Sequence, residues 1–149
     1  MLSKINIKNR KASYEYVFID TFTSGIILVG TEIKAIRNNN ANISDAHCIF
    51  NGNELFVKNL HIGEYNNGGQ NNHEPKRERK LLLNKQELRK MLSKVKEKGN
   101  SIIPIRLFIN EKGFAKIQIA LAKGKKVYDK REAIKNRDIK RKLDQIKKK

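Results

Sequence analysis

A single cysteine, Cys48, in 149 residues excludes an internal disulfide framework. His47, His61 and His73 stand far apart without paired Cys or His spacing, so no metal site is expected. Cys48 falls in an alternating apolar segment with Ala46 and Phe50, which makes it a small buried residue and points to a reducing, cytosolic home. No stretch approaches the roughly 20 apolar residues that a membrane span needs. The N-terminus MLSKINIKNRK also lacks the apolar core of a secretory signal, so neither secretion nor membrane insertion is expected.

Catalytic signatures are missing as well. There is no Gly-x-Ser-x-Gly elbow and no Gly-x-x-x-x-Gly-Lys-Ser/Thr phosphate loop. A metal-dependent nuclease would need carboxylates converging on a cleft, and Glu32 with Asp45 is the pair that could meet, although nothing in their spacing demands it. The expectation is a binding protein, not an enzyme, with no cofactor.

Acidic residues are scarce where basic ones abound. The formal net charge is +18; residues 1–75 hold 7 Lys+Arg against 7 Asp+Glu, leaving 33 − 7 = 26 basic and 15 − 7 = 8 acidic residues for the remainder. A neutral half beside a strongly cationic half implies a directed polyanionic partner. At 38% hydrophobic residues the chain still suffices for one domain with a core.

Aromatic and β-branched residues at 14–19 and again at 26–36 predict two strands around a turn at Ser24-Gly25, with a bulge or bend at Gly30 and Glu32, Lys34 and Arg37 emerging beyond it. Residues 46–50 and 54–58 around Asn51-Gly52 predict a hairpin. Residues 63–74 lose periodicity and read as a mobile surface loop. Asn84 with Glu87 forms a capping box, and Leu88, Met91, Leu92 and Val95 recur at helical spacing up to Gly99, predicting a helix over about 84–98. Residues 102–109 and 114–122 read as a last hairpin, with Pro104 at an edge or strand start.

Residues 116–131 carry the densest signal. Ile117, Ile119 and Leu121 alternate with Lys116, Gln118 and Ala120 as in a half-buried strand. Lys123-Gly124-Lys125-Lys126 then reads as a cationic turn, and Asp129 with Glu132 as the opening of a helix, a compact way to hold phosphates. From residue 123 onward 13 basic residues face four acidic ones, so the tail is expected to order along an anionic surface. Tyr65 and Tyr128 are the tyrosines available to stack on bases.

Five words occur in order along the chain: Asn9-Arg10-Lys11-Ala12; Gly30-Thr31-Glu32-Ile33-Lys34-Ala35-Ile36-Arg37; Ala41-Asn42-Ile43-Ser44-Asp45-Ala46; Arg77-Glu78-Arg79-Lys80-Leu81-Leu82-Leu83; and Gly124-Lys125-Lys126-Val127-Tyr128-Asp129-Lys130-Arg131. As an ordered set they resemble the small protein B family, the bacterial tmRNA-binding (SsrA-binding) proteins of trans-translation. Composition alone does not separate tmRNA from another compact RNA, and a ribosomal RNA-binding protein with a similar barrel stands as the alternative. Two departures stand out: Thr23-Ser24-Gly25 replaces the Glu-Ala-Gly of many relatives, and Ile146 is followed by Lys147 where relatives often carry an apolar pair.

The resemblance implies a mainly β fold: a small antiparallel oligonucleotide-binding (OB-type) barrel over residues 14–128, with peripheral helices, an N-terminal arm or strand lead-in at 1–13, and a basic tail at 129–149 that is disordered when free. It implies partners too: the tRNA-like domain of tmRNA, elongation factor Tu within that complex, and the decoding region and mRNA channel of the ribosome. RNA contacts would fall to Asn9, Arg10, Lys11, Glu32, Lys34, Arg37, Arg77, Arg79, Lys80, Leu82, Lys116, Lys123, Gly124, Lys125 and Lys126, some of them supporting the surface from below. In the tail, Tyr128, Asp129, Lys130, Arg131, Lys135, Arg137, Lys140, Arg141 and Ile146 would meet the ribosome.

Overall fold

The computed structural model describes residues 5–65, 72–97 and 99–125. Its elements run β1 (Asn6–Lys8), α1 (Arg10–Glu15), β2 (Tyr16–Ile26), α2 (Gly30–Arg37), β3 (Ala41–Asn42), β4 (His47–Asn51), β5 (Glu54–Lys58), β6 (His61–Ile62), β7 (Arg79–Leu82), α3 (Lys85–Val95), β8 (Asn100–Ile109) and β9 (Ala115–Gly124). The protein is mainly β. Six antiparallel strands, β8-β4-β5-β7-β2-β9, close on themselves because β9 pairs again with β8, and β1 adds to β8. The strands β3 and β6 form a separate two-stranded sheet.

Alternation fills the ring. Ile117, Ile119 and Leu121 of β9 point inward and are fully buried, joined by Leu55, Val57, Leu81, Ile102 and Leu107 from the facing strands. Opposite them, Ala120 and Ala122 pack with Ile103 under Ala12 of α1, a second small core on the outside of the same strand. The β4-β5 hairpin forms as the sequence predicts, with Asn51 pairing Glu54 and the tight turn at Gly52-Asn53, where Gly52 has φ +65. Helix α3 also forms as expected: Asn84 accepts from the Glu87 backbone at 2.8 Å, Met91 is buried, and Gly99 at φ +85 follows its end. Lys90 reaches Asp20 of β2 at 2.9 Å, and this hydrogen bond holds the Asp20 carboxyl below its usual range despite the opposing effect of burial.

Four expectations are corrected. First, Ser24-Gly25 is not a turn. The strand β2 runs unbroken through it, the Ser24 hydroxyl donates to the Leu82 carbonyl at 3.2 Å, and a Cβ at Gly25 would sit 3.2 Å from that of Leu82. Gly25 serves close approach of β7, not chain reversal. Second, residues 30–37 form a helix, where a bent strand is expected. Ala35 and Ile36 face the core, and Asn39 ends the helix at φ +60. Third, Pro104 lies within β8, buried, where the β8-β9 register shifts between Pro104 and Arg106, so its missing N–H falls at a bulge. Fourth, Lys123 and Gly124 do not turn; they extend β9 and pair with Val17 and Tyr16.

In the N-terminal stretch, read as an arm or a strand lead-in, Asn6–Lys8 pairs with β8 and Arg10–Glu15 is helical. The predicted 63–74 loop is described only at its ends, where Asn72 exchanges hydrogen bonds with the Tyr65 backbone at 3.1 and 2.7 Å.

Candidate nucleic-acid interface

Helix α2 supplies Glu32 to a buried charge network that fixes one side of the ring. Its carboxylate accepts from the Val29 backbone at 2.9 Å and from Arg77 Nη2 at 2.6 Å, and the other oxygen pairs with Arg79 Nε. Arg79, wholly buried, spends its remaining donors on the carbonyls of Leu60 at 2.6 Å and Pro75 at 3.1 Å. One guanidinium therefore ties α2, the segment after β5 and the segment before β7 together. Burial alone would raise the Glu32 carboxyl, but the hydrogen bonds from Arg77 and Val29 and the charge of Arg79 outweigh it and hold it below the usual range. Burial lowers the Arg79 guanidinium, partly opposed by Glu32.

Two guanidinium groups share one carboxylate, so the network keeps one net positive charge. Arg77, the partly exposed member, is where that charge meets solvent. Arg77 also donates to the Ile27 carbonyl at 3.4 Å and shares its Glu32 oxygen with the Val29 N–H. The Ile27 and Val29 side chains are each nearly half exposed, and Leu82, at 51%, stands further along β7 beside Gly25. The register continues from Leu82 to Gly25 and on to Lys116. Exposed apolar side chains thus stand both at the charge network, as Ile27 and Val29, and along the Leu82–Gly25–Lys116 row.

Not all of the sequence-predicted residues reach a surface. Glu32, Arg79 and Asn9 are buried and can only support it; this corrects any direct contact by them. Asn9 caps α1, accepting from the Ala12 backbone at 3.2 Å, while its amide donates to the carbonyls of Pro104 at 2.9 Å and Ile43 at 3.4 Å. Arg10 and Lys11 project from α1 into solvent, Lys11 reaching Asp45 at 3.9 Å. Lys34 lies over the Tyr65 ring at 5.4 Å, Arg37 is exposed, and Lys80 pairs with Glu54 at 3.3 Å. Lys123, Gly124 and Lys125 are partly covered at the far end of β9. Lys126 and the tail residues Tyr128, Asp129, Lys130, Arg131, Lys135, Arg137, Lys140, Arg141 and Ile146 lie outside the described residues.

Of the sequence-predicted cations, Lys116 and Lys123 mark the two ends of β9. Lys116 and Lys123 are seven residues apart, about 24 Å along an extended strand. Ile27 and Val29 were hidden in the sequence inside a run that reads as buried strand; the signal that could have exposed them is Glu32, three residues after Val29, as half of a capping box. Glu32 and Asp45 do not meet, the one being buried with arginines and the other paired with Lys11. Among the described residues no cluster of three or more His, Cys, Asp or Glu side chains could hold a metal ion, and no helix is long and apolar enough to cross a membrane.

Comparison with known proteins places this geometry. The model of the SmpB protein family matches residues 6–149. The SsrA-binding protein of Flavobacterium psychrophilum is 60% identical over 148 residues, covering 99% of both chains. That of Thermosipho melanesiensis is 48% identical, covering 94% of this chain and 95% of the other. A chain in the solved structure described as "tmRNA-SmpB: a journey to the center of the bacterial ribosome" is similar with a TM-score of 0.69 and 39% identity, over 80% of this chain and 84% of that one.

Proposed function

Since the chain belongs to the SmpB protein family, we propose that it works as the SsrA-binding protein of its cell. It binds tmRNA and serves trans-translation, acting on the ribosome. The observation that carries this is the family match across residues 6–149, which spans both the ring with its locked cationic patch and the basic tail.

The binding is non-covalent. Lysines and arginines displace counterions from RNA phosphates, so affinity falls steeply with salt, while shape and a few apolar or stacking contacts select a folded RNA elbow. In this reading the six-strand ring is an OB-type barrel that stands where an anticodon arm is missing. Arg77, Lys80, Leu82 and Lys116 meet the tRNA-like domain, and Glu32 and Arg79 hold them from below. Residues 129–149 enter the empty mRNA channel as a helix, with Tyr128 against a base of the decoding region. Elongation factor Tu accompanies the RNA, and the setting is the cytoplasm.

Purifying the protein from its cells and sequencing the copurified RNA tests the reading. Enrichment of one tRNA-like RNA is expected. Recovery of ribosomal RNA alone would overturn it.

A further inference from the structure

From Leu82, the outer face continues across four more strands. Leu82 stands beside Gly25, Gly25 beside Lys116, Lys116 beside Phe108 and Phe108 beside Asn6. The flanking residues Leu107 and Ile117 are fully buried, so strand alternation turns Phe108 and Lys116 outward. One pair further along, Lys8 stands beside Arg106, and Arg106 beside Gln118.

Arg106 is held flat. Its guanidinium lies over the Phe108 ring, 4.1 Å from the centroid, and its Nε donates to Gln118 Oε1 at 3.0 Å. Among the described residues it has no carboxylate partner, and neither do Lys8 and Lys116 beside it. A cation–π pair can simply brace a sheet. Here three cations gather with no acid to balance them, around a planar group whose orientation is already fixed, and planar guanidinium faces are what unstacked bases pile onto.

We propose that Arg106, backed by Phe108, is a stacking platform for an unpaired nucleobase, with Lys8 and Lys116 on the adjoining phosphates. Phe108 lies three strand spacings from Leu82, about 14 Å, a span that one folded RNA loop covers. The platform rests on the proposed function for the identity of that RNA.

The test is equilibrium binding of the full chain to transcribed tRNA-like domain RNA over a range of salt. Arg106→Lys keeps the charge and removes the plane; affinity should drop roughly tenfold with the salt slope unchanged. Phe108→Leu should weaken binding to a similar degree. If Phe108→Leu disturbs folding, seen as a lowered melting temperature, Arg106→Lys decides alone, since it removes no core group. Wild-type affinity in Arg106→Lys overturns the platform while leaving the proposed function standing. A loss accompanied by a shallower salt slope overturns it too, because that is a phosphate contact. Absence of binding by the unaltered protein overturns the proposed function itself, and the platform with it.

Discussion

The two ends of β9 hold positive charge in opposite ways. At the Lys116 end, Arg77 is set by a buried carboxylate that it shares with Arg79, so its charge and the fold depend on the same atoms. At the Lys123 end, Arg10 and Lys11 stand in solvent on a helix whose placement depends on the uncharged Asn9. The first arrangement presents a rigid surface, at the cost of burying two charges, Glu32 and Arg79. In the second, the cations can be changed without touching the fold. A folded RNA of fixed shape suits the first end, and a binding segment that must adapt suits the second.

Alanine at Lys125, Lys126, Lys130 and Arg131 should draw this contrast most sharply. Tagging of stalled peptides is expected to fall to background while the melting temperature holds; normal tagging would show that the Lys123 end has no separate role. Next comes Glu32→Gln, which leaves the buried Arg79 guanidinium without its carboxylate and beside Arg77, and should cost about 3–5 kcal/mol in urea denaturation. The Glu32 carboxyl is depressed in the folded state, so its contribution is present above the unfolded value near 4.5 and is lost as pH falls through the lower folded value. The variant should therefore lack part of the acid limb of the wild-type stability curve. A cost under about 1 kcal/mol would mean that the network is not what orders the Leu82 surface.

Asn9→Ala removes a helix cap and strands the Pro104 carbonyl, and about 2 kcal/mol of lost stability is expected by the same denaturation. Smallest is Lys11→Ala. Its pairing with Asp45 is long and exposed, so stability should change by no more than about 0.5 kcal/mol. A larger loss would erase the distinction between the two ends.

Local chemistry made much of this architecture legible. The Asn84 and Glu87 box with its apolar stripe marked α3, and strict alternation marked β9 and its inward isoleucines. Helix α2 escaped because Ile33 and Ile36 are β-branched and its N-cap is a valine with no capping oxygen. What holds it is Glu32 reaching Arg79, 47 residues away. Gly25 and Pro104 depart from their local signals for a related reason: each answers to a neighbouring strand, Leu82 in one case and the β9 register in the other. The cations of the site were visible as residue types. Which of them the fold would swallow was not, because burial of Arg79 is decided by the Leu60 and Pro75 carbonyls and the Glu32 carboxylate, which come from separate segments.

The chain's single thiol has a practical bearing. Cys48 is 7% exposed, and burial pushes its ionisation far up, so the reactive thiolate is suppressed. A cysteine introduced at Phe114, which is 62% exposed beside the outer face, would therefore take a maleimide dye selectively without first removing the native sulfur. Fluorescence from that position could follow the docking of RNA in real time.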